Sequence, residues 1–383
     1  MSLKSLLLSS DERTVRILRR VLSDLEIEVE HCQAADEAVR RITRQRFEAI
    51  IVDGANADDA AIVMSAAKAA PVNKRALTIA LVESTLGLKG GFEMGAHFVL
   101  HKPFAVERAK ASFRAVRALM KRERRLQLRV PVQIPVECYG SGRYNATTLD
   151  VCEGGMAIQF TGRVAKESPL RFSLQLPESK GTLEIYGELA WEGNSQQAGV
   201  RFKDATDEQR KTLRLWLDKQ LPEPEPDDPP VNCRLTDLSL GGCYLTTSSP
   251  FPRGTRVTLA IKATALEVRA TGIVLVAHSE FGMGVEFFQS TAEQREHAER
   301  MISTLRDNPD KTPEVHVEPD GLEMSPDDSV EAFHASAANA SGAEDALVDL
   351  FRRKFEMPVE TFMEHMREQR GSVESASKSA SSF

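Results

Sequence analysis

The sequence predicts a multidomain α/β plus β chain: a doubly wound (βα)5 domain, two small antiparallel β-barrels, and a mostly disordered acidic tail with a C-terminal helix. Three observations predict it. Apolar runs alternate with helical spacing through the first 120 residues, the hydrophobic period switches to two at Arg129, and the segment after residue 230 repeats the one before it. At 383 residues the chain exceeds one ordinary domain, and 42% hydrophobic with 27% charged residues allows packed cores.

In the first region Ser5 to Leu8 is a short apolar strand, and Val15, Leu18, Leu22 and Leu25 share one helical face. Ile27 to His31 reads as a strand and Ala34 to Arg44 as a helix. Glu48 to Val52 is a buried strand ending at Asp53, and Leu77 to Val82 and His97 to Leu100 supply two more. Five βα units in a row imply a parallel sheet covered on both faces, with function at the carboxyl ends of its strands. From Ala105 to Arg125 one helix runs on, with Phe113, Val116 and Met120 as its apolar stripe.

Beyond Arg129 the alternating segments Val130 to Glu137, Met156 to Phe160, Leu170 to Leu176, Leu183 to Trp191 and Gly199 to Phe202 are strands of a small barrel. A helix from Thr206 to Lys219, with Leu213, Leu215 and Trp216 as packing candidates, closes it. The Pro- and acid-rich run from Leu221 to Pro230 is a stiff linker. Three blocks then recur at nearly equal offsets. Asp150 to Gly155 corresponds to Asp237 to Gly242, Ala198 to Phe202 to Met283 to Phe287, and Thr206 to Arg210 to Thr291 to Arg295. The expected boundaries are 1–120, 121–220, the linker 221–230, 231–306, a disordered acidic linker 307–344, an amphipathic helical segment 345–370 and a disordered tail 371–383. In the helical segment Leu347, Leu350, Phe351 and Phe355 precede a break at Met357-Pro358, and Val359, Phe362 and Met366 follow it. It would dock either on the chain's own barrels or on a partner.

Charge is distributed unevenly. Arg114 to Arg129 holds seven bases and one acid, whereas Asp307 to Glu344 holds ten acids and a single Lys. The formal charge of −7 argues against general affinity for nucleic acid or an anionic membrane. Five cysteines without a CxxC pair argue against zinc or a disulfide framework and for a reduced, cytoplasmic setting. No apolar run reaches membrane-spanning length, and the opening apolar run is too short for a signal peptide. His97 and His101 flank a strand without a third ligand, so no metal site is assigned, and no catalytic Ser-His-Asp or Cys-His set is visible.

Asp53 after the third strand and Lys102-Pro103 after the fifth make the first region resemble the receiver domain of two-component response regulators. The resemblance implies Asp53 as phosphoacceptor, Asp11 and Lys102 as support, Mg²⁺ if the site is active, and a surface for homodimerisation. The departure is Ser9-Ser10-Asp11-Glu12, where the family has a pair of acids. The fourth-strand hydroxyl is unplaced among Ala80, Val82 and Ser84. The expectation is a degenerate receiver.

The two repeats resemble the PilZ domain, a six-stranded barrel that binds cyclic di-GMP. The first carries Arg125-Leu-Gln-Leu-Arg129, with Arg124 adjacent, and Asp150-Val-Cys152-Glu-Gly-Gly155. These match the family's RxxxR and [D/N]xSxxG, with Cys in place of Ser. The second carries Asp237-Leu-Ser239-Leu-Gly-Gly242 without an RxxxR. The resemblance implies that Arg125 and Arg129, supported by Arg124, grip a dianion by paired hydrogen bonds and stacking. Asp150 would read guanine, and Cys152 and Gly155 would shape the floor. The expected function is a non-enzymatic signalling adaptor in which cyclic di-GMP alters interdomain geometry and contact with a protein partner. The rivals are a phosphorylation-controlled regulator and a ligand-independent scaffold.

Overall fold

The computed structural model describes residues 2–83, 87–161, 170–179, 181–193, 196–203, 205–220, 227–263, 266–288, 295–296, 299–300, 302–304, 313–322, 345–354 and 357–368. Ser84, most of the Pro-rich linker, the acidic stretches 305–312 and 323–344, and the tail 369–383 lie outside the described residues. The chain forms two compact units, Met1–Arg122 with Asp228–Phe383, and Glu123–Asp227.

In the larger unit β1 (Leu3–Leu8), β2 (Ile27–Cys32), β3 (Ala49–Asp53), β4 (Leu77–Glu83) and β5 (Phe98–Lys102) form a parallel sheet of order β2-β1-β3-β4-β5. Strands buried on both faces explain the unbroken apolar runs. Leu7, Ile51 and Ile79 face the layer that includes α1 (Glu12–Asp24), while Leu6, Ile50 and Val52 face the layer of α2 (Ala35–Arg44) and α3 (Ala57–Ala69). After α4 (Gly87–Glu93), the long α5 (Val106–Gln127) packs Phe113, Val116, Leu119 and Met120 into the first layer. Its outer face is not simply solvated, as a basic helix would be. Ala115 and Ala118 are buried among residues of the second barrel, and Arg122 donates from Nε to the carbonyl of Asp320.

The smaller unit is the first barrel. Its strands are β6 (Val130–Pro131), β7 (Pro135–Tyr139), β8 (Arg143–Cys152), β9 (Gly155–Phe160), β10 (Leu170–Gln175), β11 (Thr182–Glu192) and β12 (Gln197–Lys203). The order β8-β7-β10-β11-β12-β9 is closed by the β8–β9 pairing, and β6 lies against β8. The single strand expected from Val130 to Glu137 divides into β6 and β7, with prolines at 131 and 135. Helix α6 (Asp207–Gln220) caps the core with Leu213, Trp216 and Leu217. Leu215 corrects the expectation: it points outward and is exposed, because the packed face follows 213, 216 and 217 at helical spacing.

The second barrel belongs to the larger unit: β13 (Val231–Leu238), β14 (Gly242–Thr246), β15 (Thr255–Ala263), β16 (Leu266–His278), β17 (Gly282–Phe287) and β18 (Glu314–Leu322), closed in the order β13-β14-β17-β16-β15-β18. Strand β18 corrects the expected disordered stretch 307–344 and the boundary at 306. Val315 and Val317 alternate inward while Glu314 and Glu318 point out, so an acidic segment completes the barrel. In the first barrel the slot between β8 and β10 is filled by β7, which precedes them. In the second the matching slot, between β13 and β15, is filled by β18, which follows them. The two copies are thus circular permutations of one barrel. Helix α7 (Ala346–Lys354), followed by helical residues 359–368, packs on β14, β16 and β17.

Candidate functional site

At the end of α5 the chain leaves the helix through Leu128 and Arg129 and enters β6, which holds this segment beside β8. Arg129 Nη1 donates to Asp150 Oδ1 at 2.6 Å, and the amide of Ala157 donates to the same oxygen at 3.3 Å. The ion pair is accessible, with Arg129 about half exposed (48%). Arg125, Leu128, Glu153, Arg214 and Leu217 line a small recess between the end of α5, the turn after β8 and α6. Arg125 is largely buried and pairs with Asp227 at 3.0 Å; Asp227 also pairs with Arg214. Arg124 is half-buried one residue earlier. Thus Arg129 has the carboxylate of Asp150, while Arg125 shares that of Asp227 with Arg214. An anion could take over both partners.

The turn after β8 is built by its small residues. Burial pushes the Cys152 thiol up, and the amides of Gly154 and Gly155 donate to it. The second barrel shows what serine does at this position: Ser239 Oγ accepts from Gly242 N at 3.1 Å and donates to the Gly242 carbonyl at 3.2 Å. The hydroxyl there closes the turn, and the Cys152 thiol sits in the equivalent place. Gly155 is also required by the packing of the neighbouring strand. A Cβ there would lie 2.1 Å from the Val200 carbonyl oxygen of the neighbouring strand β12. Gly242 meets the Val285 carbonyl oxygen at 2.3 Å in the same way. Both glycines answer to strand packing.

In the receiver-like domain β3 ends at Asp53, which is 6% exposed. Lys102 Nζ donates to its Oδ1 at 2.7 Å, and Ser9 Oγ donates to its Oδ2 at 2.7 Å. Asp11 follows Ser9 by two residues, and its amide donates to Ser9 Oγ at 3.2 Å. It caps α1, accepting from the amides of Arg13 and Thr14 and from the Thr14 hydroxyl, and the Thr14 hydroxyl bond holds its carboxyl below the usual value. Glu12 is exposed. This donor set does not fit a magnesium ion: Ser9 stands where an acid is needed, and both oxygens of Asp53 are already engaged. Among the described residues no three His, Cys, Asp or Glu side chains cluster as metal ligands. His97 instead accepts from Thr78 N at 3.0 Å within the core.

Sequence reasoning missed Asp227, Arg214 and Glu153. Glu153 lies inside the quoted motif, at a position where the motif specifies no residue. Asp227 lies in a linker read only for its stiffness; the one available signal was an acid placed after a basic helix in a chain whose basic cluster needed counter-charges.

The fold and site define a class: a receiver-like α/β domain with two six-stranded barrels that share one turn motif. The family model of the PilZ domain matches residues 123–219 and 221–304, so the chain carries two tandem PilZ domains after its receiver-like domain. The chain has no significant match among curated proteins. Similar solved structures include the receiver domain of a sensor histidine kinase from Pseudomonas aeruginosa (23% identity, 31% of this chain and 98% of that one, TM-score 0.28). A chemotaxis response regulator of Vibrio cholerae is similar at 22% identity over 30% of this chain and 99% of that one, TM-score 0.28. The PilZ domain of CeSA from a cellulose-synthesizing bacterium matches at 21% identity over 24% of this chain and 99% of that one, TM-score 0.21. Among the described residues no helix is long and apolar enough to cross a membrane.

Proposed function

We propose that the first barrel is a cyclic di-GMP receptor and that the chain is a non-enzymatic signalling adaptor acting in the cytoplasm. The observation that carries this reading is the meeting of Arg129, from the RxxxR segment, with Asp150, from the turn motif, at 2.6 Å across 21 residues of sequence. Two parts of one signature that are separate in the chain share an accessible edge. Phosphate oxygens of the dinucleotide would replace Asp227 on Arg125, and a guanine face or edge would take Arg129 and Asp150, with Arg124 adding charge. Because Arg125 lies in α5, exchange of its partner rebuilds the end of a helix that is covalently continuous with the receiver-like domain. We propose that this alters interdomain geometry and the contact with a protein partner. A phosphorylation switch at Asp53 has less support, since Ser9 and Ser10 stand where the receiver family has a pair of acids.

The test is calorimetric titration with cyclic di-GMP of the wild type beside Arg125→Ala/Arg129→Ala. Each charge-assisted contact contributes about 1.5–3 kcal/mol, so the double variant should bind at least about a hundredfold more weakly. No heat from the wild type, or equal affinity in both proteins, would sink the reading. For the coupling, scattering and proteolysis should differ between ligand-free and saturated protein.

A further inference from the structure

The second barrel keeps the turn motif and lacks the arginine segment, yet its turn is not bare. In the first barrel a Cβ on Gly154 would meet the carbonyl oxygen of Leu126, inside the RxxxR segment, at 3.3 Å. In the second barrel the equivalent Gly241 would meet the Asp345 carboxylate at 2.8 Å and the Val348 side chain at 2.9 Å. The amide of Gly241 donates to Asp345 Oδ2 at 2.8 Å, while Asp345 Oδ1 accepts from Leu347 and Val348 and so starts α7. One carboxylate therefore ties the motif's turn to the helix.

The rest of the contact is mainly aromatic and aliphatic, with one ion pair. Register places Tyr244 where the first barrel has Ala157: Asp237 pairs with Tyr244 as Asp150 pairs with Ala157. Tyr244 donates to or accepts from His278 Nδ1 at 2.9 Å, and Phe362 lies 4.7 Å from the His278 ring and 5.5 Å from the Tyr244 ring. Phe351 packs at Gly284, and Arg352 pairs with Glu286. Leu347, Leu350, Phe351, Phe362 and Met366 are all buried.

We propose that residues 345–354 and 357–368 are the built-in occupant of the second barrel's motif face, taking the place that the arginine segment holds on the first, so that this barrel recognises an Asp-capped amphipathic helix and not a nucleotide. The inference does not depend on nucleotide binding at the first barrel. The Asp345 carboxylate satisfies the turn's amide, and Phe351 and Phe362 cover the Tyr244–His278 surface.

The experiment uses the full-length chain with a protease site inserted between residues 323 and 344, cleaved after folding and passed over a sizing column. The released fragment should co-elute with the body, and Phe351→Ala or Phe362→Ala should weaken retention by about a hundredfold or more. Asp345→Asn, which keeps the apolar packing, should weaken it severalfold and controls for misfolding. Excess cyclic di-GMP, added to the cleaved Arg125→Ala/Arg129→Ala protein, should leave the fragment bound. Separation of the wild-type fragment, full retention by the phenylalanine variants, or release by cyclic di-GMP would each overturn the proposal.

Discussion

Asp227 is the residue whose partner matters most for the proposed ligand. It pairs with Arg125 and Arg214, so it would compete with an incoming phosphate for Arg125. Asp227→Asn removes the competing charge and keeps the size of the side chain. Affinity for cyclic di-GMP should rise threefold to tenfold, about 0.5–1.5 kcal/mol, the range of a partly exposed ion pair. Calorimetry beside the wild type reads this directly, and unchanged or weaker binding would show that Asp227 does not gate the site. Cys152 makes the opposite kind of prediction. Its thiol is buried, in the place where Ser239 Oγ closes the turn of the second barrel. Cys152→Ser should therefore shift affinity by less than about threefold, below the roughly 1 kcal/mol that a hydrogen bond to ligand would contribute.

At the scale of elements, β18 is the piece on which the second barrel turns. Val317 is fully buried and pairs across to Leu259 on one side and Val231 on the other. Val317→Asp places an unpaired charge in that core, with an expected loss of about 3–5 kcal/mol. Urea unfolding followed by proteolysis should show the second barrel opened early. Cyclic di-GMP affinity should stay as it was, since Arg125, Arg129 and Asp150 belong to the other compact unit. This strand also shows what was legible in the sequence. The parallel sheet was, because its inner strands β1, β3 and β4 are largely apolar on both faces. The duplication was, because six-residue and five-residue blocks recur in order. Strand β18 was not, since Val315 and Val317 give only two inward positions within an acidic stretch, and the residues that pair with them lie more than fifty positions away. Likewise RxxxR and the turn motif could be read as types, whereas the Asp227 and Gly241 contacts depend on which distant segments fold back.

Over the whole molecule, charge is settled by internal pairing. Arg117 and Lys121 share Asp228, Arg122 is bound by a main-chain carbonyl, Arg125 has Asp227 and Arg129 has Asp150. Four of the bases at the end of α5 are thus matched by acids of the linker and the first barrel. The larger unit adds one group that titrates against its own fold. His278 is enclosed by Tyr244 and Phe362, and burial pushes its pKa down from 6.5 to about 4. The folded state therefore binds fewer protons than the opened one between these values. Stability from this packing is complete above about pH 6.5 and is lost as pH falls towards 4, at about 1.4 kcal/mol per unit. The cleaved chain described above should release its 345–368 segment more readily at pH 5 than at pH 7.5. His278→Gln, which keeps a hydrogen-bonding group near Tyr244 but does not titrate, should flatten that dependence. If the variant keeps the wild-type pH profile, another group controls the release. If the wild type shows no pH dependence between 7.5 and 5, the His278 cluster is not opened when the segment leaves.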